Sequence, residues 1–318
     1  MARYVAKRLL ALIPVILIVA VVVFMLVQLT PGDPASILLG DEADAASIAQ
    51  LNAELGMDLP LREQFMNWFN NVLKGNLGSS IFFKKPVTEM FWTNFKPTLA
   101  LALYAEIIAV VLALVFGSLA AKFRGTWLDH AVNGFTVLGI SVPSFLWALI
   151  LVMVFAVYFR LFPSSGYKDL SNGFLPFMRY LTLPAVALGL VQSSIMTRIT
   201  RINMIEALES PYIKATTARG ISSRKVVFKH ALKNAFLPIL TVIGDSFGGL
   251  ITGAAVVETV FNIPGIGQLI INSIERRDYI VIQGSIILIT FIYLSLNLVI
   301  DILYGVVDPR VHLESEAS

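Results

Sequence analysis

Not one cysteine occurs among the 318 residues. That absence excludes a disulfide framework, thiolate metal sites and a cysteine nucleophile. Charge is scarce as well, with Asp, Glu, Lys and Arg together at 14% against 57% hydrophobic residues. A soluble domain of this length needs many more charges to cover its surface. Only three histidines are present, His130, His230 and His312, and their spacing fits no metal-ligand pattern. No Gly-x-x-x-x-Gly-Lys-Ser/Thr phosphate loop appears, so nucleotide hydrolysis by this chain is not expected. No internal repeat or low-complexity tract stands out. The net charge of +3 is small, and no nucleic-acid partner is expected.

What the sequence does contain is apolar runs long enough to cross a bilayer, which takes roughly 20 residues each. Six spans are predicted: Leu9–Leu29, Leu99–Ala121, a third within Ala131–Phe159, Leu181–Thr197, Phe236–Val257 and Ile280–Val306. Pro143 lies inside the third and predicts a kink or a broken turn. The fourth is expected to continue as helix through Arg198–Leu208. Arg3, Lys7 and Arg8 precede the first run in the manner of a secretion signal. That run is too long for a signal core and lacks a small-x-small site after it, so it reads as an uncleaved first span.

Basic residues set the expected orientation. Segment 198–234 holds eight of them with only two acids, Glu206 and Glu209, whereas segment 31–97 holds five basic and eight acidic residues. The fold expected is an all-α integral membrane protein with six spans and both termini in the cytoplasm. Its parts are a tail and first span at 1–30, an extracytoplasmic segment at 31–97 and a five-helix core at 98–318 carrying the cytoplasmic loop 198–234. Within the outer segment, Ala43–Leu55 and Leu61–Leu73 have helical apolar spacing. Phe65, Trp68, Phe69 and Val72 share one face of the second of these. They serve either as a structural cap on the outer mouth or as a docking surface for an external partner.

The stretch Ser210–Pro238 carries the most specific pattern. Ser210 suits an N-cap, Pro211 the first helical position and Gly220 the residue past a C-terminus. Together they delimit a short helix, Pro211–Arg219. Ser222 or Ser223 can cap a second helix, whose first-turn Arg224 and Lys225 oppose the macrodipole. A rigid helix tied at both ends to membrane spans makes a suitable lever, and Tyr212, Ala215, Thr216 and Gly220 offer one aromatic beside small residues. The alternative is an amphipathic helix lying on headgroups, with Lys214 and Arg219 at the phosphates.

Lys214-Ala215-Thr216, followed after three residues by Gly220, resembles the Glu-Ala-Ala-x-x-x-Gly loop of bacterial ATP-binding cassette (ABC) importer permeases, with Lys214 in place of glutamate and Thr216 in place of the second alanine. Tyr212 to Gly220 with His230-Ala231-Leu232-Lys233-Asn234-Ala235-Phe236-Leu237-Pro238 is similar to the peptide/nickel branch of that family. So are Pro31-Gly32-Asp33-Pro34, Leu77-Gly78-Ser79-Ser80, Pro163-Ser164-Ser165-Gly166, Glu258-Thr259-Val260-Phe261, Pro264-Gly265-Ile266-Gly267, Arg276-Arg277-Asp278-Tyr279 and Asp308-Pro309-Arg310. The long outer segment resembles the first of the branch's two paralogous permeases.

The resemblance implies a type I importer permease in a bacterial cytoplasmic membrane. It implies four kinds of partner: a second permease, two cytoplasmic ATPases that bind ATP and Mg, an extracytoplasmic substrate-binding protein, and the lipid bilayer. It implies that Tyr212, Lys214, Ala215, Thr216, Arg219 and Gly220 form the coupling helix and that the chain itself holds no cofactor. Dipeptides or oligopeptides are the expected cargo, with nickel chelates, glutathione and other small solutes as alternatives.

Glu106, Asp245 and Asp301 lie within or near spans, where an ionisable residue is a functional candidate by default. Asp245, flanked by Gly244 and Gly248-Gly249, reads as a pathway residue, with pairing to a buried arginine of the second permease as the alternative. Gln192 and Glu258 complete the pathway set. Asp301 reads as structural, and Ser193 and Ser194 can face either the pathway or another helix. A membrane-embedded enzyme would need paired intramembrane acids or a Ser/His pair, and neither occurs at suggestive spacing. An ion-driven secondary transporter would show inverted repeats with interrupted helices, which are not seen.

Overall fold

The computed structural model describes residues 2–29, 46 and 58–307. Apart from Ala46, the expected helix at 43–55 lies outside the described residues, as do the motifs at 31–34 and 308–310. Eleven helices organise the rest: α1 Ala2–Leu29, α2 Leu61–Leu73, α3 Val87–Lys122, α4 Trp127–Ser141, α5 Ser144–Tyr158, α6 Phe174–Glu209, α7 Pro211–Ala218, α8 Ser223–Gly253, α9 Ala255–Phe261, α10 Ile266–Glu275 and α11 Tyr279–Val307. No strand occurs among the described residues.

Among the described residues, five helices are long and apolar enough to cross a membrane: Arg8–Leu26 within α1, then α3, α6, α8 and Tyr279–Ile302 within α11. Two further pairs are bent, α4 with α5 by 103° and α9 with α10 by 86°. The third expected span is the first of these pairs. Its break has a local cause: Pro143 offers no N–H to α4, and Val142 before it is held extended at φ −96°, ψ 119°. The second break follows Asn262, which is left-handed at φ 52°, and then Pro264 and Gly265. Helices α3, α6 and α8 begin well before their apolar cores, since polar turns extend a helix as readily as apolar ones once it is nucleated.

The described residues separate into two compact units, 94–268 with 2–5 and 295–307, and 6–29, 46 and 58–93 with 269–294. In the first, α6 is the central element. Small residues let its neighbours approach. A Cβ on Gly189 would stand 3.0 Å from the Ala105 carbonyl of α3, and one on Gly117 would stand 2.7 Å from Thr200. Gly139 of α4 faces Ser194 in the same way. Close backbone approach of this kind replaces the hydrophobic driving force that lipid cannot supply between helices. Leu101, Ala105, Ala148, Leu181, Leu188 and Ile251 form the buried centre.

In the second unit, α2 turns Phe65, Trp68, Phe69 and Val72 partly inward. Phe24 of α1 meets Phe65 edge-on at 5.3 Å. Asp278, fully buried, accepts from the Ser80 hydroxyl at 2.5 Å. Gly78 sits at φ +82° against Ile280, where a Cβ would come within 2.7 Å.

Candidate functional site

The short helix α7 forms where the capping signals place it. The Ser210 hydroxyl accepts from the Ile213 N–H, Pro211 occupies the first turn, and Arg219 is the C-cap, so the helix proper ends one residue earlier than expected, at Ala218. Gly220 follows at φ +79° with open space around it. Its glycine is therefore required by backbone conformation, not by crowding. Ser222 is the N-cap position of α8, and a π-helical turn covers Val226–Ala231.

One side of α7 is packed and the other is open. Ile213 and Thr216 are buried. Ile213 joins a cluster with Met204 and Ala207 of α6, Val226, Val227 and Ala231 of α8, and Ala121 at the end of α3. The Tyr212 hydroxyl and His230 Nδ1 lie 3.0 Å apart, a second tie between α7 and α8. Lys214, Ala215, Thr217, Ala218 and Arg219 are exposed. Of the six expected coupling residues, Thr216 therefore belongs to the anchored side, and the other five remain accessible.

Two ion pairs brace the base of this lever. Asp129 of α4 receives Arg201 of α6 through both oxygens, Nε at 2.6 Å and Nη2 at 2.8 Å. The same carboxylate accepts the Gly125 N–H at 3.0 Å and Asn133 Nδ2 at 3.2 Å. Arg124 reaches Glu209, the residue before Ser210, at 2.8 Å. Asp129 lies in none of the motifs that the sequence displays. The signal available was its place in a first helical turn beside a basic loop, where a lone acid invites an arginine.

The expected pathway residues separate. Asp245 is exposed on α8, in a stripe with Thr241 and Thr252. Gln192 of α6 is half-buried, and its amide lies 3.9 Å from where a Cβ of Gly249 would stand. Glu258 is wholly buried on α9. It accepts from the Thr98 hydroxyl at 2.6 Å and from the Gln268 N–H at 3.1 Å, while Thr98 accepts the Ile266 N–H at 2.8 Å. The carboxylate thus caps α10. Gly265 packs directly on it, leaving no room for a side chain. Glu106 is also buried, with one oxygen taken by Ser246 at 2.9 Å and the other unpartnered. Asp301 is half-buried on α11. No group of His, Asp and Glu among the described residues could hold a metal ion.

Comparison with known proteins bears on the whole chain. Residues 113–313 match the family described as binding-protein-dependent transport system inner membrane component, and residues 1–102 match its N-terminal companion. A probable peptide ABC transporter permease protein of Sinorhizobium fredii is 40% identical over 311 residues, covering 98% of this chain and 99% of that one. A glutathione transport system permease protein of Salmonella typhimurium is 40% identical over the same coverage, and that of Escherichia coli K12 is 38% identical. Among solved structures, a chain of an inward-facing methionine ABC transporter aligns with 97% of its length and 70% of this chain. Its TM-score is 0.56 at 17% identity, a likeness of fold.

Proposed function

We propose, on the premise that this chain belongs to the binding-protein-dependent transport system inner membrane component family, that it forms half of the membrane pathway of a peptide importer. As a member of that family it is a transport subunit of the inner membrane and not an enzyme. The observation that carries the mechanism is the two-sided character of α7. Its inner side is fixed to α3, α6 and α8 by Ile213 and the Tyr212–His230 contact, and its outer side presents Lys214, Ala215, Thr217, Ala218 and Arg219 exposed, with no tie to another element among the described residues.

In this reading α7 lies on the cytoplasmic face and seats in a groove of an ATPase subunit. Closure of two ATPases around ATP displaces α7. Because the helix is capped at Ser210 and followed by a left-handed Gly220, it passes the displacement to α6 and α8 instead of absorbing it. The Asp129–Arg201 brace carries the motion to α4. The pathway, shared with a second paralogous permease, then alternates between a docked external binding protein and the cytoplasm. Segment 31–97 is the outer portion nearest that protein, and both termini are cytoplasmic.

Two relatives of equal identity carry different solutes in their names, one peptide and one glutathione. Glutathione is itself a small peptide, so both favour a solute with peptide-like charged termini. The ligand that copurifies with the cognate binding protein decides between them.

The coupling reading is tested in proteoliposomes holding the complete transporter. Ala215→Arg is expected to leave the complex inserted and its ATPase active while binding-protein-dependent uptake falls at least tenfold. Unchanged uptake would remove the basis for the lever.

A further inference from the structure

A 190 Å³ cavity between α4 and α6 is lined by Asn133, Arg198 and Arg201 among the apolar side chains Val137 and Ile140. Thr136 completes the polar lining, and three of its four polar residues are already committed, Thr136 by donating its hydroxyl to the Asn133 carbonyl. Arg201 is engaged by both oxygens of Asp129, and Asn133 donates to the same carboxylate. Arg198, one turn away on α6, is exposed and takes part in no hydrogen bond or ion pair among the described residues. It is the first residue of the basic segment 198–234, directly after the expected fourth span Leu181–Thr197. A guanidinium at that border is held by water or by an anion, not by apolar surroundings.

The flank of α6 that holds Arg198 is open. Successive residues turn about 100° around a helix, which places Arg198, Ile195 and Ile202 between the line touching α4 at Ser194 and the line touching α8 at Gln192. Ile195 and Ile202 are 38% and 52% exposed, as an uncovered flank requires. The helices α6 and α8 run antiparallel along it: Gln192 lies against Gly249, and Met196 packs with Val242 and Ile243. At about 1.5 Å per residue, Arg198 lies about 9 Å below Gln192, and Asp245 lies about 6 Å below Gly249 in the same direction. The two unpaired charges, of opposite sign, therefore stand at nearly one level on helices that border the same open flank.

We propose that this flank is a binding site for a zwitterionic solute, with Arg198 receiving a carboxylate and Asp245 an ammonium group. The proposal rests on the pathway reading above and names the solute class that the pathway recognises. A guanidinium suits the first role, since its planar fork meets a carboxylate through two parallel hydrogen bonds. Asp129 leaves Arg198 to this task by neutralising Arg201. Val137 and Ile140 offer apolar wall to the solute's side chains.

The test is equilibrium binding of labelled trialanine to the complete permease–ATPase complex in nanodiscs, without the binding protein. Trialanine with free termini, its C-terminal amide and its N-acetyl form are compared. Wild type is expected to prefer the free form. Arg198→Gln should weaken binding of the free form about tenfold, the scale of a lost charge-assisted pair, and leave the amide unchanged. Asp245→Asn should remove the discrimination against the N-acetyl form, and Arg198→Lys should keep part of the preference for a free carboxylate. Both residues are exposed and unpaired, so these variants should assemble normally. No saturable binding to wild type, equal losses for free and amidated peptide, or an effect of Arg198→Gln that vanishes in discs of neutral lipid would each overturn the proposal, the last by assigning the cavity to a lipid phosphate. Binding-protein-dependent uptake measured alongside separates the two readings: uptake without such discrimination sinks this site alone, whereas absence of ATP-driven uptake of any peptide sinks the parent reading.

Discussion

The α9–α10 hairpin and the open flank of α6 treat their charges in opposite ways. Around Glu258 every polar group is matched: the Thr98 hydroxyl and the Gln268 amide donate to the carboxylate, and Thr98 takes the Ile266 amide in return. Around Arg198 and Asp245 no described residue responds to the charge, and both side chains are exposed. A buried carboxylate that meets all its needs internally holds structure together, because removing it strands its donors. An exposed charge with no partner among the described residues is available to something outside the chain. The α7 helix repeats the contrast within eight residues, with Ile213 and Thr216 anchored and Lys214 and Ala215 open.

The largest expected effect comes from breaking the matched side. Glu258→Ala leaves the buried Thr98 hydroxyl and the part-buried Gln268 N–H without their acceptor, at about 1–3 kcal/mol for a buried donor, and should sharply lower the thermal midpoint of the detergent-solubilised complex. Asp245→Ala should leave that midpoint nearly unchanged, within about 0.5 kcal/mol, while altering solute binding. Equal destabilisation by the two would dissolve the distinction.

Next in size is Asp129→Asn. It removes the ionised acceptor of a two-pronged pair and leaves Arg201 partly buried, a loss toward the lower end of the about 3–5 kcal/mol that broken buried pairs cost, because the Arg201 side chain is 21% exposed. The same variant should weaken coupling, since α4 loses its tie to α6. Arg124→Ala is expected to be the smallest. Its pair with Glu209 is well exposed, such pairs contribute about 0–1 kcal/mol, and added salt should erase the difference from wild type.

The sequence made some of these features legible and hid others for physical reasons. Helix α7 was readable because capping is local: Ser210, Pro211 and Gly220 each act on neighbouring backbone. The break at Pro143 was readable for the same reason. The bend between α9 and α10 carried a signal in Asn262, Pro264 and Gly265, but it falls where an apolar run suggests continuity. The environment of Glu258 was not readable, because its partner Thr98 lies 160 residues away. Glu258 and Asp245 therefore looked alike as pathway candidates, and only the packing of α9 against α3 separates them. Arg198 was legible as part of a basic loop but not as a lone charge. Its distinction from Arg201 depends on which face of α6 meets α4.

The lever claim can be tested by cross-linking, which the cysteine-free chain makes simple. Thr217→Cys, on the open side of α7, is treated with a short bifunctional thiol–amine reagent in inside-out vesicles holding the complete transporter. The account predicts one product joining this chain to an ATPase subunit, its yield changing when ATP is added. Labelling of that cysteine only from the external side, or no product with the ATPase under any nucleotide condition, would contradict it.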